Sequence, residues 1–257
     1  MKKLLFYTLL LNFTFLFINA NAQDVAIGVR GGLSIPNLTA GSGNQNPLNT
    51  GYSSREGLDA GIFAEFKISD QFSIQPMLEY SSQGGKKDGF QAFPTPAQAA
   101  PFFLPNPPPT YLYATFNSTA KLNYLMLPIM AKLGWNLSKT SPFRIYVDAG
   151  PFVGLLVSAK QVTSGSSEYY VVDPQGNKQA LPTGAESFDN TQDIKSQLHD
   201  FNFGIEGNVG FAYKLKKSYI FIEGGGNFGF LNIQKGTANG KNNAGAGTVA
   251  LGYSFWL

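Results

Sequence analysis

The sequence predicts an all-β fold, an eight-stranded antiparallel up-and-down β-barrel that spans a membrane and carries long loops at one end. Three observations predict it. The first is a period of two, clearest between Asp200 and Gln234. Phe201, Phe203, Ile205, Val209, Phe211 and Tyr213 share one face, and Asp200, Asn202, Glu206 and Asn208 share the other. After the basic turn Lys214-Leu215-Lys216-Lys217-Ser218 the pattern repeats, with Ile220, Ile222, Phe228 and Phe230 against Glu223 and Asn227. Such alternation means strands with one face in an apolar medium, and a face this aromatic on strands this long points to lipid. The second observation is the connections, which alternate long and short as in transmembrane barrels, whose periplasmic turns are short and external loops long. The third is 29 glycines, many of them inside the strand patterns, where small barrels need them to bend.

Taken in order, the first strand is expected over 25–35, with Val25, Ile27, Val29, Leu33 and Ile35 alternating with Ala26, Gly28, Arg30, Gly32 and Ser34. A polar loop follows over 39–54. The second strand, over 57–68, puts Leu58, Ala60, Ile62, Ala64, Phe66 and Ile68 opposite Asp59, Phe63, Glu65 and Lys67. After the short turn Ser69-Asp70-Gln71, the third runs over 72–83, with Phe72, Ile74, Leu78 and Tyr80 opposite Ser73, Gln75, Met77, Glu79 and Ser81. A long insertion over 84–118 carries seven prolines from Pro94 to Pro109, a density expected to forbid a regular ladder.

The fourth strand, over 119–136, sets Leu125, Leu127, Ile129, Ala131, Leu133 and Trp135 against Tyr124, Met126, Pro128, Met130 and Lys132. The fifth, over 142–160, sets Phe143, Ile145, Val147, Val153, Leu155 and Val157 against Arg144, Tyr146, Asp148 and Ser158. A second insertion covers 161–198. Within it Asp173-Pro174-Gln175-Gly176 is a type I turn sequence, expected to close a small projecting hairpin. The sixth and seventh strands are the hairpin already described. The eighth, over 243–257, places Val249, Leu251, Tyr253, Phe255 and Leu257 opposite Thr248, Ser254 and Trp256. Each strand is long enough to cross a bilayer, which takes about 9–11 tilted residues.

Residues 1–22 read as a signal peptide. Lys2 and Lys3 precede an apolar run over 4–18, and Ala20-Asn21-Ala22 has the small-x-small form of a cleavage site. The other reading of this segment is an uncleaved anchor. Residues 23–257 would then form one barrel domain. The formal charge of +3 falls close to neutral without Lys2 and Lys3, which argues against nucleic acid as partner. With no cysteine, disulfides and thiolate chemistry are excluded. The rival architecture is a soluble lipocalin-like ligand-binding barrel with the apolar face inward. Its exterior should be about 25–35% charged, whereas these polar faces carry mostly Gly, Ser and Asn.

Lys121-Leu122-Asn123-Tyr124-Leu125-Met126-Leu127-Pro128-Ile129-Met130-Ala131-Lys132 resembles a motif of PorT-like outer-membrane barrels, porin-family small barrels of Gram-negative cell envelopes. The match rests on Tyr124, Leu125, Pro128 and Lys132. Ala149 to Leu156 is similar to that family's next strand. The end of the chain, with Gly252, Phe255 and Leu257, resembles the signal read by barrel-insertion machinery. The resemblance implies an outer-membrane address in contact with lipid, but no single activity.

With the apolar face on lipid, the lumen receives Arg30, Asp59, Glu65, Lys67, Glu79, Lys132, Arg144, Asp148, Glu206 and Glu223. Both signs occur in similar number, and an eight-stranded barrel is just wide enough for side chains to fill. A salt-bridged, closed lumen is expected, with a small pore or transport channel as the alternative. Catalysis is not expected. His199-Asp200 has only Ser196 and Ser166 as loop nucleophile candidates, without a G-x-S-x-G context. No metal or cofactor site is expected either, and Gly224-Gly225-Gly226 is not followed by a helix as a phosphate loop would be. Trp135, Phe143, Tyr213, Tyr219 and Tyr253 fit an interfacial belt. Phe90, Phe93, Phe102, Phe103, Tyr111 and Tyr113, among the prolines of the first insertion, either cap the barrel mouth or bind a partner. The functional expectation is therefore a structural or interaction component of the envelope that acts through its external loops.

Overall fold

The computed structural model describes residues 25–40, 47–236 and 240–257. The expected signal peptide and part of the first loop lie outside them. Eight long strands close a barrel among the described residues: β1 Val25–Ala40, β2 Gly57–Lys67, β3 Phe72–Pro94, β4 Tyr111–Asn136, β5 Phe143–Ser164, β6 Phe201–Leu215, β7 Ser218–Gly229 and β8 Asn242–Trp256. Each pairs antiparallel with its sequence neighbours, β8 pairs with β1, and β4 with β5 completes the ring. Ring closure leaves none of these eight strands as a free edge within the barrel wall.

The phase of the strands is the one the alternation predicts. Ile27, Val29, Ile62, Leu127, Val153, Phe203, Val209, Ile222 and Leu251 point out and are exposed, while Arg30, Asp59, Glu79, Asp148, Glu206 and Glu223 point in and are buried. A soluble cup would show the reverse. Three short turns, 68–71, 137–142 and 216–217, lie at one end with the start of β1 and the end of β8, where the Leu257 amide donates to the Val25 carbonyl at 3.0 Å. The four longer connections lie at the other end.

Glycines fill a steric role inside the lumen. A side chain at Gly210 would collide with the Tyr146 ring, and one at Gly252 with the Phe221 ring. Each of these glycines leaves room on its own strand for an inward aromatic from a neighbour.

The structure corrects several boundaries. The insertion over 84–118 is mostly ladder. β3 and β4 remain paired from Phe72↔Leu133 up to Pro94↔Tyr111, and only 95–110 is irregular, with a 3-10 helix at Ala97–Phe103. The reason is placement: all seven prolines counted in that insertion fall at or beyond Pro94, within the tip, and none interrupts 77–93 or 110–127. β1 also runs on to Ala40, β5 to Ser164, and β7 stops at Gly229. In β5 a bulge at Val157 shifts the register between Asn123↔Ser158 and Tyr124↔Leu156. The inward role therefore passes from Leu156 to Ala159, and Ser158 lies off that face. The expected projecting hairpin is present as Tyr170–Val172 paired with Lys178–Ala180, turning at Asp173. The Asn177 side chain and backbone hold the Asp173 carboxyl below the usual carboxylate range.

Candidate functional site

The lumen is built in layers, and the register sets their order. At the centre lies Arg30, brought opposite Gly61 on β2 and Gly252 on β8. Its guanidinium donates to Glu223 at 2.7 Å, Glu79 at 2.7 Å and Glu206 at 3.1 Å, and pairs with Asp59 at 3.3 Å. A planar fork with five N–H donors suits several carboxylates at once in a way an ammonium does not. Asn208 bridges Glu206 at 3.2 Å and Asp148 at 3.0 Å, and the Tyr146 hydroxyl donates to Glu223 at 2.6 Å. Lys132 donates to Glu65 and Gln75, each at 3.1 Å, and lies 4.1 Å over the Tyr146 ring. Ser73 closes that group by donating to Glu65 at 2.7 Å.

Eight of the ten predicted lumen charges thus meet in two groups joined through Tyr146. Lys67 and Arg144 do not join them. Lys67 reaches Asp70 at 2.8 Å in the short turn, where the pairing holds the exposed Asp70 carboxyl below the usual range. Arg144 donates to the Asp70 carbonyl at 3.1 Å. Both sit at the short-turn mouth because they stand near strand ends. Without them the expected balance of signs fails. The buried set holds two bases, Arg30 and Lys132, and six acids, Asp59, Glu65, Glu79, Asp148, Glu206 and Glu223.

Apolar layers bracket this centre. Towards the short turns, Phe63, Met77, Tyr146, Ala212 and Phe221 pack together, with Tyr219 against them. Tyr219 therefore faces the lumen and leaves the expected interfacial belt, whereas Trp135, Phe143, Tyr213 and Tyr253 are exposed on the outside. Towards the long loops, Leu122, Tyr124, Met126, Phe152, Leu156 and Leu198 form the heart of a second apolar cluster. Of the motif residues, Tyr124 and Pro128 are buried inward with Lys132, and Leu125 faces out.

Above that cluster β3, β4 and β5 continue and enclose a cup of about 330 Å³, lined in part by Lys87, Gln91, Gln161, Gln192, Gln197 and Gln234. The expected interaction aromatics divide here. Phe90 stacks on Tyr113 with ring centroids 5.6 Å apart, and Phe93 packs against Phe116, Tyr169 and Phe188. These rings brace the cup wall. Phe102 is exposed at the tip with Leu104, while Phe103 and Tyr111 are half-buried. The amide-rich lining was missed in the sequence because Gln161, Gln192 and Gln197 fall in the insertion over 161–198, outside any strand pattern.

Among the described residues no cluster of three His, Cys, Asp or Glu side chains is arranged to hold a metal ion. His199 is exposed in the connection between β5 and β6, away from the buried lumen acids.

The outer membrane protein beta-barrel domain family matches residues 21–235 of the chain. No curated protein matches in sequence. Solved structures that it resembles include Neisserial surface protein A, at 12% identity over 90% of this chain and 99% of that one, with a TM-score of 0.38. OprG from Pseudomonas aeruginosa shows 10% identity over 91% and 96%, with a TM-score of 0.39. Ail, the attachment invasion locus protein of Yersinia pestis, shows 8% identity over 90% and 99%, with a TM-score of 0.38. Likenesses this distant carry no argument about activity.

Proposed function

The chain belongs to the outer membrane protein beta-barrel domain family, and on that premise we propose that this outer-membrane protein is a closed anchor holding a binding surface clear of the bilayer, through which it meets envelope or external partners. The observation that carries this reading is on β4. From Leu125 to Trp135 its outward positions are apolar, a run that matches the ~9–11 residues needed to cross a bilayer. From Thr115 to Asn123 the outward positions are Thr115, Asn117, Thr119, Lys121 and Asn123. Lipid therefore ends near Asn123, and the strand rises on to Tyr111, roughly 30 Å at ~3.3 Å per residue and a tilt near ~45°. An extension of this size serves no purpose in spanning the membrane. Rigid scaffolds that carry loops are where binding concentrates.

The lumen supports an anchor rather than a channel. Two apolar layers enclose a charged centre whose groups are bonded to one another, whereas conduction calls for a continuous polar or empty corridor. In this reading residues 1–22 direct export and are removed, and the end of the chain, with Gly252 turned inward and Phe255 facing out on β8 and Leu257 after it, is engaged by the insertion machinery. The test replaces residues 86–118, the part of the β3–β4 hairpin beyond the lipid belt, with a tight turn. The shortened protein should keep heat-modifiable gel mobility and lose the partners that co-purify with the wild type from native membranes. Retention of every partner contradicts the proposal, as do reproducible single-channel steps from the purified wild type.

A further inference from the structure

The short-turn mouth opens into a vestibule of about 680 Å³. Its lining carries Lys67, Lys132, Arg144, Lys214, Lys216 and Lys217 against Glu65 and Asp70, six cations to two acids. Lys67 is paired with Asp70 and Lys132 with Glu65. Lys214, Lys216 and Lys217 form no ion pair among the described residues, and Arg144, which donates to the Asp70 carbonyl, feels the Asp70 carboxyl only at longer range. Lys132 forms the floor, fixed over the Tyr146 ring. This surplus of cations around one concave, partly enclosed space is self-repelling, and a polyvalent anion relieves that repulsion.

The backbone adds an independent observation. β6 and β7 are joined by a two-residue turn, with Leu215 paired to Ser218. Lys216 has φ +49°, the one non-glycine residue in the left-handed region among the described residues. Glycine or asparagine is less strained there, so a lysine at this point places charge at the rim against the preference of the turn.

We propose that this vestibule binds a phosphate-bearing anion, gripped by Arg144, Lys214, Lys216 and Lys217 with Lys132 beneath. Phosphate fits better than a lone carboxylate. It presents three oxygens and up to two charges, and the guanidinium fork of Arg144 takes two of those oxygens while the ammonium groups act as point charges around the rest. The rim lies level with the exposed aromatics Trp135, Phe143, Tyr213 and Tyr253, which mark the headgroup zone of one leaflet. The phosphate therefore comes either from a lipid headgroup of that leaflet or from a soluble phosphate compound. The site lies at the opposite end from the cup and does not depend on what the cup binds.

The test titrates full-length protein with inorganic pyrophosphate by calorimetry at about 0.15 M salt, where weak surface attraction is screened. The protein is held in nanodiscs of phosphatidylcholine alone or with phosphatidylglycerol added. A Trp135→Phe background leaves Trp256, which lines the vestibule, as the sole tryptophan and so as a fluorescence reporter of the site. Saturable binding is expected in phosphatidylcholine, weakened at least about tenfold in K216N/K217N, since each lost charge-assisted contact removes a large part of the affinity. Lys216→Asn suits the left-handed turn, so this variant should fold at least as well as the wild type. Adding Arg144→Gln should weaken binding further. Binding suppressed by phosphatidylglycerol supports the site with lipid as its source, and equal binding in both discs supports it with a soluble source. Absence of saturable binding in phosphatidylcholine overturns the proposal, as does affinity unchanged in K216N/K217N.

Discussion

The two halves of β4 form one continuous strand in two different solvents. In the lower half the outward residues Leu125, Leu127, Ile129, Ala131, Leu133 and Trp135 are apolar, and the inward Lys132 belongs to a buried ion-pair group. In the upper half the order inverts. Leu112, Ala114, Phe116, Ala120 and Leu122 are buried inside, while Thr115, Asn117, Thr119 and Lys121 face out. Below, lipid takes the apolar face, and the polar groups must find partners in the lumen. Above, water takes the polar face, and the apolar side chains form an ordinary core. On the β3 side the pairing keeps one register across the boundary, while on the β5 side the bulge at Val157 falls at it. The ladder supplies rigidity, and side-chain polarity alone decides which length of it belongs to the membrane.

The largest effect expected from this comparison is at Arg30. It is the sole buried cation among Asp59, Glu79, Glu206 and Glu223, and removing one partner of a buried ion group costs about 3–5 kcal/mol. Arg30→Ala should abolish or sharply reduce refolding into vesicles, read by urea titration of the heat-modifiable band. Arg30→Lys should recover only part of the loss, because a single ammonium cannot reproduce the fork. A freely folding Arg30→Ala would mean that the lower half is not organised around its lumen charges.

Next comes a paired substitution on β4. Leu127→Arg faces lipid well inside the apolar run and should cost about 2–4 kcal/mol of folding free energy. Asn117→Arg faces outward in the same phase above the boundary and should change stability by no more than about 0.5 kcal/mol. Similar costs for the two, measured in the same vesicles, would place both halves in one environment. A smaller effect is expected at Gly210, where a side chain meets the Tyr146 ring. Gly210→Ala should destabilise by about 1–3 kcal/mol through overpacking, and Tyr146→Leu in the same chain should relieve much of it while losing the hydroxyl bond to Glu223.

The smallest effect concerns the projecting hairpin. The Asp173 carboxyl accepts hydrogen bonds from the side-chain and backbone amides of Asn177 and from the Gln175 amide, which hold it below the ordinary carboxylate range. Because the folded value is depressed, this contribution is fully present above the ordinary aspartate value of about 3.9 and is lost as pH falls through the lowered folded value. The Asn177 amide resonance should titrate with a midpoint below that ordinary value, while Asp173→Asn removes the titration.

The wall of the lower half was legible in the sequence because period two and apolarity coincide there. Ile27, Leu58, Ile62, Val209 and Leu251 could be assigned to lipid without knowing their neighbours. The upper half was hidden for a related reason. At Asn123 the meaning of the alternation reverses, so Lys121 and Thr119 read as the end of a strand, and Asn117 as part of an insertion, rather than as the outside of the same strand. The lumen charges were legible as an inward set but not as an arrangement. That arrangement depends on register, which brings Arg30 of β1 to Glu206 of β6, 176 positions away, and leaves Lys67 and Arg144 at the mouth. The basic vestibule was visible only as a turn sequence, Lys214 to Ser218, because its other members come from β2, β4 and β5.

The inversion itself is tested most directly by spin labels placed one at a time at residues 113–135 of β4 in vesicles, with collision rates read for lipid-soluble oxygen and a water-soluble nickel chelate. The account predicts alternation along the whole strand. Outward positions should favour oxygen from 125 to 135 and favour the nickel chelate from 115 to 123, with the crossover between Asn123 and Leu125. Oxygen preference that continues outward through 117 and 115, or alternation that stops near 119, would contradict it.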